Sequence, residues 1–319
     1  MKSGILVIDK PAGMTSHDAV ALVRRLAGTK KVGHGGTLDP LATGVLPIFI
    51  GNATRVIEYL HEKDDPRAKK YRAEMRLGIV TDTQDITGET LAEMPPEFSF
   101  PSLPVIESVL KSFEGEGEQT PPAYSAIKYQ GKKLYDYARS GADIPDEALR
   151  KRRIVVDSIE MIDCQPESLT ACFEITCSGG LYVRTICHDA GKLLGCGAAM
   201  SALRRLKSGP FVIAESVTPD ELKRIAEDGG PDALPMLPAD SALRGMPKMA
   251  LTREDTERFL SGIRLSGIAA AEDEGAEADG TKRTVAVYDG DTDSENFIGI
   301  AICKSGVLKP RKVLRQITQ

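Results

Sequence analysis

Residues 169–195, LTACFEITCSGGLYVRTICHDAGKLLG, decide how the chain is read. They read as two strands joined near Gly179 and Gly180, followed by a helix that Gly195 closes. Strand follows strand before any helix begins, so strict strand–helix alternation is absent, and the expectation is an α+β fold on a mainly antiparallel sheet.

The flanking stretches agree. Residues 69–89, KKYRAEMRLGIVTDTQDITGE, predict a strand with Tyr71, Ala73, Met75 and Leu77 on one side, ending in a polar loop. GILVIDKP (4–11) reads as a buried strand. SHDAVALVRRLAG (16–28) reads as a helix with Ser16 as N-cap and Gly28 past its end. VLPIFIGNATRVIEYL (45–60) predicts a strand feeding a helix, whereas proline-rich 91–104 and acidic SFEGEGEQTPP (112–122) predict a loose surface excursion. PPAYSAIKYQGKKLYDYARSG (121–141) interleaves tyrosines with basic residues, and RKRRIVVDSIEMIDC (150–164) opens on a basic cluster before another strand. After about residue 240 the texture changes: LRGMPKMALTREDTERFLSG (243–262) predicts a helix, AAAEDEGAEADG (269–280) an acidic surface loop, and three short strands follow. A second, small β-rich domain is expected there.

At 319 residues the chain suits two domains with ordinary cores. No apolar run approaches a membrane span, and Asp9 interrupts the short apolar run at the N-terminus, so the cytoplasm is the expected location. Six cysteines without a C-x-x-C pair and four scattered histidines fit neither a zinc site nor a disulfide framework. The formal net charge of -5 is unevenly spread. Residues 1–72 carry twelve Lys and Arg against seven Asp and Glu, while residues 82–119 carry one against nine. Basic stretches recur at 120–153 and 182–210, so a basic face on an acidic protein is within reach of this sequence, as is an ordinary mixed surface.

Residues 33–47, GHGGTLDPLATGVLP, hold a carboxylate between a glycine-rich turn and a proline. The glycines lack the Lys-Ser/Thr of a nucleotide P-loop and the third glycine of a dinucleotide fingerprint. An Asp-Pro pair often serves only its own turn. Flanking glycines, however, let a bulky ligand approach the backbone, and Asp39 could act as nucleophile or base beside a cation, for which Arg184 is a candidate. Two rival sites are Ser125 with Lys128, an S-x-x-K pair without its companion motifs, and Cys187 beside His188.

Six stretches in order, LVIDKPAGMTSHD, GHGGTLDPLATGVLPI, KKYRAEMRLGIVTDTQDITGE, PPAYSAIKYQGKKLYDYAR, CSGGLYVRTICHDAGKLLGCGA and LRRLKSGPF, resemble the TruB family of tRNA pseudouridine synthases. The resemblance runs from about residue 3 to 240 and continues more weakly beyond. It implies a pseudouridine synthase fold with a mainly antiparallel mixed central sheet over residues 1–240, an RNA-binding insertion near 120–150, and a PUA-like RNA-binding domain over 241–319. It implies a cofactor-free, metal-free enzyme that isomerises uridine 55 in the tRNA T-loop to pseudouridine on a flipped-out nucleotide. The expected partner is the T-arm stem-loop, with no membrane, and a monomer is expected. Carried over by position, Asp39 is the catalytic aspartate, Tyr71 lies against the target base and Arg184 pairs with the aspartate. Tyr182 and Leu203 contact the nucleoside, His34 lies beside the flipped nucleotide, and Lys10 is counted with the substrate-binding residues. Leu181 stands where relatives often carry Thr. The competing function is an RNA-binding or RNA-remodelling protein without chemistry.

Overall fold

The computed structural model describes residues 3–60, 65, 67–94, 99–268, 282–290 and 296–314, so the acidic stretch 269–280 lies outside the described residues. The chain begins with β1 (Gly4–Lys10), α1 (Ser16–Leu26), β2 (Val32–His34) and β3 (Thr43–Ile50), then a 3-10 helix (Gly51–Tyr59) and β4 (Lys69–Leu77). There follow β5 (Ile79–Thr81), β6 (Thr90–Glu93), α2 (Leu103–Lys111), β7 (Gly115–Gln119), β8 (Lys128–Tyr129), β9 (Lys132–Lys133) and α3 (Leu134–Arg139). Next come β10 (Arg152–Gln165), β11 (Thr170–Cys177), α4 (Val183–Leu193), β12 (Ala198–Ser208), β13 (Phe211–Val212) and α5 (Pro219–Gly229). The C-terminal part holds β14 (Lys248–Leu251), α6 (Arg253–Leu260), β15 (Leu265–Ser266), β16 (Arg283–Asp289), β17 (Asn296–Lys304) and β18 (Val307–Val313).

The main sheet runs β1-β3-β12-β4-β11-β10-β7, with β2 added to β3 and β13 to β12. Every pairing in it is antiparallel except β12 with β3, which meet in parallel at Arg204↔Thr43 and Arg205↔Gly44. The expected mainly antiparallel mixed sheet is therefore observed. At the parallel join Gly44 has φ +98°, and a Cβ there would sit 2.2 Å from the Arg205 carbonyl oxygen. Only glycine lets β3 enter the sheet at this place.

Strand β4 alternates as expected: Tyr71, Ala73, Met75 and Leu77 are buried, and Arg72 and Arg76 face solvent. On the wet face Glu174 of β11 takes Lys70 at 2.6 Å and Arg72 at 2.8 Å. Strands β1 and β3 are buried on both faces, and their alternate residues serve two cores. Leu6, Ile8, Leu46, Ile48 and Ile50 join the main core under α1 and α4. Ile5, Val7, Val45 and Phe49 instead pack into a cluster with Ala286, Tyr288, Ile300 and Leu314 of the C-terminal part, whose five strands run β14-β16-β17-β18-β15.

Four expectations need correction. Residues 169–195 form one strand, not two: β11 ends at Cys177, Gly180 turns with φ +87°, and Val183 already starts α4. Tyr182 is pinned instead by the buried Gln119 amide, whose oxygen accepts from the Tyr182 N–H (2.8 Å) and whose Nε2 donates to the Tyr182 carbonyl (3.1 Å). Val183, Ile186, Cys187 and Ala190 then form the buried face of a helix. The acidic GEGEQ segment is not loose, because it pairs as edge strand β7 along Arg152–Val156. The first part of 243–262 is strand β14, and the helix is confined to α6. Finally, Thr15 and not Ser16 caps α1, in a reciprocal box with Asp18. This frees the Ser16 hydroxyl for another task.

Candidate active site

Between β2 and β3 the loop carrying Asp39 is held from beneath. The Ser16 hydroxyl accepts from the Leu38 N–H at 2.9 Å and donates to the Leu38 carbonyl at 3.0 Å. The Lys10 ammonium donates to the carbonyls of Met14 (2.7 Å), Pro11 (2.9 Å) and Pro40 (3.4 Å). Fully buried Arg205 donates to Val45 O (2.7 Å), Gly36 O (3.1 Å) and Thr37 O (3.3 Å). The Ala42 N–H closes the turn onto the Asp39 carbonyl at 3.0 Å. With the backbone satisfied by these partners, the Asp39 carboxylate is left to project, its side chain 33% exposed.

It projects into a cavity of about 200 Å³. Thr37, Leu38 and Asp39 form one side; Gly180, Leu181, Tyr182, Val183 and Arg184 form another; Lys69, Tyr71, Met200 and Leu203 supply the sheet wall, with Ala126 at the rim. Arg184, in the first turn of α4, brings its Nη2 to 3.5 Å from Asp39 Oδ2 with its own side chain only 5% exposed. The guanidinium is oriented by the carbonyls of Tyr124 (2.6 Å) and Thr83 (3.3 Å), and it lies 5.6 Å from the Tyr182 ring centroid. A rigid, always-charged group so placed fixes where a carboxylate points.

Tyr71 is buried, and burial pushes its phenol up to about 12. The Arg205 guanidinium lies within hydrogen-bonding reach of that hydroxyl, so one arginine touches both the Asp39 loop and Tyr71. Burial also raises the Tyr182 phenol, which has Ser125 beside it. His34 lies outside the cavity lining, on β2: its Nδ1 accepts from the Gly36 N–H (3.3 Å), its ring meets His17 edge-on at 5.9 Å, and burial lowers its pKa. Lys10 is likewise absent from the lining; it lies beneath the loop with its ammonium spent on carbonyls. Thus Asp39, Tyr71, Arg184, Tyr182 and Leu203 converge on one cavity, and His34 and Lys10 stand behind it.

Sequence reasoning overlooked Ser16, Gln119, Lys69 and Arg205. Two of these carried a signal: Lys69 precedes Tyr71 by two on β4, and Arg205 follows Leu203 by two on β12, so each shares an inward face. The rival sites do not form. Ser125 is 2% exposed while Lys128 is exposed, and Cys187 is fully buried with its thiol pushed far up by burial. Among the described residues no group of three or more His, Cys, Asp or Glu could hold a metal, and no helix is long and apolar enough to cross a membrane.

Solved structures place this arrangement in a class. The chain resembles that in a structure of an H/ACA ribonucleoprotein bound to a substrate RNA containing 2′-deoxyuridine, at TM-score 0.71 and 25% identity over 98% of this chain and 85% of that one. It resembles a chain of a Cbf5–Nop10–Gar1 complex at TM-score 0.68 and 28% identity, again over 98% and 85%. The architecture is that of the pseudouridine synthase fold. Residues 24–183 match the N-terminal domain of the TruB family pseudouridylate synthases, and residues 184–244 match the tRNA pseudouridylate synthase B C-terminal domain. The tRNA pseudouridine synthase B of Bacillus subtilis is 41% identical over 322 residues, covering 99% of each chain. That of Geobacillus thermodenitrificans is 40% identical over 319 residues, covering 98% of this chain and 99% of its own. The chain belongs to the TruB family of pseudouridylate synthases.

Proposed function

We propose that the protein converts uridine 55 in the T-loop of tRNA to pseudouridine, with Asp39 as the reacting carboxylate. The observation that carries this reading is the Asp39–Arg184 pair at 3.5 Å at a cavity of about 200 Å³ walled by Tyr71 and Leu203. The names of the relatives, tRNA pseudouridine synthase B, support tRNA as the substrate.

The reaction breaks the N1–C1′ bond, turns the uracil, joins C5 to C1′ and releases the C5 proton while N1 takes one up. The product has the same composition as the substrate, so the chemistry asks for a positioned carboxylate and a closed site. Three routes are open to Asp39: attack on the ring, attack on C1′, or removal of a sugar proton. The base must first leave its stack, at a cost of a few kcal/mol. The Tyr71 ring offers a face to replace that stacking, worth roughly 1–3 kcal/mol, with Leu203 and Tyr182 contacting the nucleoside. His34, behind the loop, supports the displaced RNA. Lys10 acts at one remove, by holding the turn that carries Asp39.

In this reading residues 1–240 are the catalytic domain, with the 120–150 segment closing over RNA, and residues 241–319 are a PUA-like RNA-binding domain. The basic stretches contact phosphates of the T-arm, so affinity falls as salt rises. The enzyme works as a cytoplasmic monomer. The test is mass-spectrometric mapping of pseudouridine in tRNA treated with the protein or with Asp39→Asn. Pseudouridine at position 55 from the first and none from the second is expected. Undiminished product from Asp39→Asn would refute the mechanism, and binding without product from either would leave a non-catalytic RNA-binding protein.

A further inference from the structure

Lys69 lines the cavity beside Tyr71, yet its ammonium makes no hydrogen bond or ion pair with any described residue. Lys10 is the contrast, with three carbonyls on its ammonium. Around Lys69 the charges do not cancel. Asp39 is already paired with Arg184, and the neighbouring Arg205 has carbonyls and a phenol for partners but no carboxylate among its hydrogen bonds. The Gly36 turn borders the ammonium: a Cβ there would sit 3.5 Å from Lys69 Nζ and 3.8 Å from Arg205 Nη1. The sheet wall is thus a positive surface that faces a base carrying no charge when it enters. Lys69 is half-buried and its ammonium stands at the cavity without an anionic partner among the described residues, and such a group calls for an anion.

The reaction supplies one. When the N1–C1′ bond breaks, its electron pair stays with the ring, and the charge spreads over N1 and the two carbonyl oxygens. The sugar carbon is meanwhile taken by the Asp39 carboxylate or loses a proton from C2′. We infer that Lys69 holds the detached uracil anion by charge-assisted hydrogen bonding to a ring oxygen while the ring turns to present C5. Lys69 remains an ammonium throughout; the ring charge is discharged when C5 joins C1′, which releases the Asp39 carboxylate or lets C2′ take its proton back, and the C5 proton then departs as N1 takes one up. This rests on the pseudouridylation reading above. It gives the positive wall a task that appears only after bond cleavage, where preorganised charge accelerates a reaction. The lowered pKa of Lys69, about 8 through burial and then the nearby Arg205, still leaves it protonated at neutral pH.

The test compares T-arm stem-loops carrying uridine or 5-fluorouridine at the target, in single-turnover assays with saturating protein. Fluorine at C5 makes the departing ring a weaker base, so it needs less help. Lys69→Met is expected to slow glycosidic cleavage about 100-fold on uridine, to cost at least about tenfold less on 5-fluorouridine, and to leave RNA affinity within about threefold. Lys69→Arg is expected to restore most of the rate, because the charge is kept. Equal losses on the two RNAs would reduce Lys69 to a structural part, and weakened affinity with unchanged cleavage would make it a phosphate contact; either overturns the inference, as does full activity of Lys69→Met. Should the Met variant fail to fold, Lys69→Gln answers the same comparison. If the wild-type protein turns over neither RNA, the parent reading falls, whereas wild-type turnover with any of the contrary variant results removes only this inference.

Discussion

Replacing Lys69 by methionine should make the protein more stable. Burial, reinforced by Arg205, lowers the Lys69 pKa from 10.5 to about 8. At about 1.4 kcal/mol per pH unit this is ~3 kcal/mol of penalty for keeping the charge in the folded chain. Solvent reaching the ammonium through the cavity reduces it, so ~1–3 kcal/mol is the expected gain for Lys69→Met at pH 7. The sign with pH follows from proton counting. Below pH 8 folded and unfolded chains both hold the proton, and the penalty is complete. Between pH 8 and 10.5 the folded chain releases it first, the unfolded chain binds more protons, and wild-type stability rises relative to the variant. Urea unfolding of both proteins at pH 7 and pH 10 measures this: the variant's midpoint is higher at pH 7, and the difference narrows at pH 10. A less stable variant, or a difference that ignores pH, would refute the reasoning. A substitution that stabilises the fold while slowing turnover marks a residue kept for its chemistry.

Lys10 carries a similar pKa of about 8, also from burial, and predicts the opposite outcome. Lys10→Met strands the carbonyls of Pro11, Met14 and Pro40, and a loss of roughly 2–4 kcal/mol should appear in the same urea series. Ser16→Ala leaves both backbone groups of Leu38 without their buried partner, for roughly 1–3 kcal/mol. Steady-state kinetics should place its functional loss in kcat, because the displaced turn mispositions Asp39 rather than removing a contact with RNA. Tyr71→Phe should retain RNA binding and lose turnover; unchanged turnover would exclude the phenol from proton transfer, and normal stability would exclude the Arg205 contact as an anchor.

What was legible in the sequence was what neighbours in the chain decide. The period-two burial of β4, the glycine past the end of α1 and the turn around Asp39 all follow from residues within a few positions of one another. The misread stretch shows the limit. Val183 and Thr185 are β-branched and favour a strand by themselves, but Tyr182 is tied to Gln119, 63 residues away, and the helix starts from that anchor. GEGEQ has poor strand composition and becomes a strand only because Arg152–Val156 lies alongside. In the site, Asp39 stood out by its glycine-rich turn with Arg184 as its candidate cation, and Tyr71 through family resemblance, whereas the groups that position them did not. Ser16 reaches Leu38 across 22 residues and Arg205 reaches Gly36 across 169, and no local pattern reports such distances.

The apolar wall shared by β1, β3 and the C-terminal sheet has a thermal consequence. Ile5, Val7, Val45 and Phe49 cannot separate from Ala286, Tyr288, Ile300 and Leu314 without exposing the underside of the strands that frame the cavity. The two sheets should therefore melt in one calorimetric transition, with van't Hoff and calorimetric enthalpies in agreement. The same coupling fixes the span between the Asp39 carboxylate and the C-terminal sheet. A molecule grasped at both ends is gauged by that span, as between caliper jaws locked at one setting.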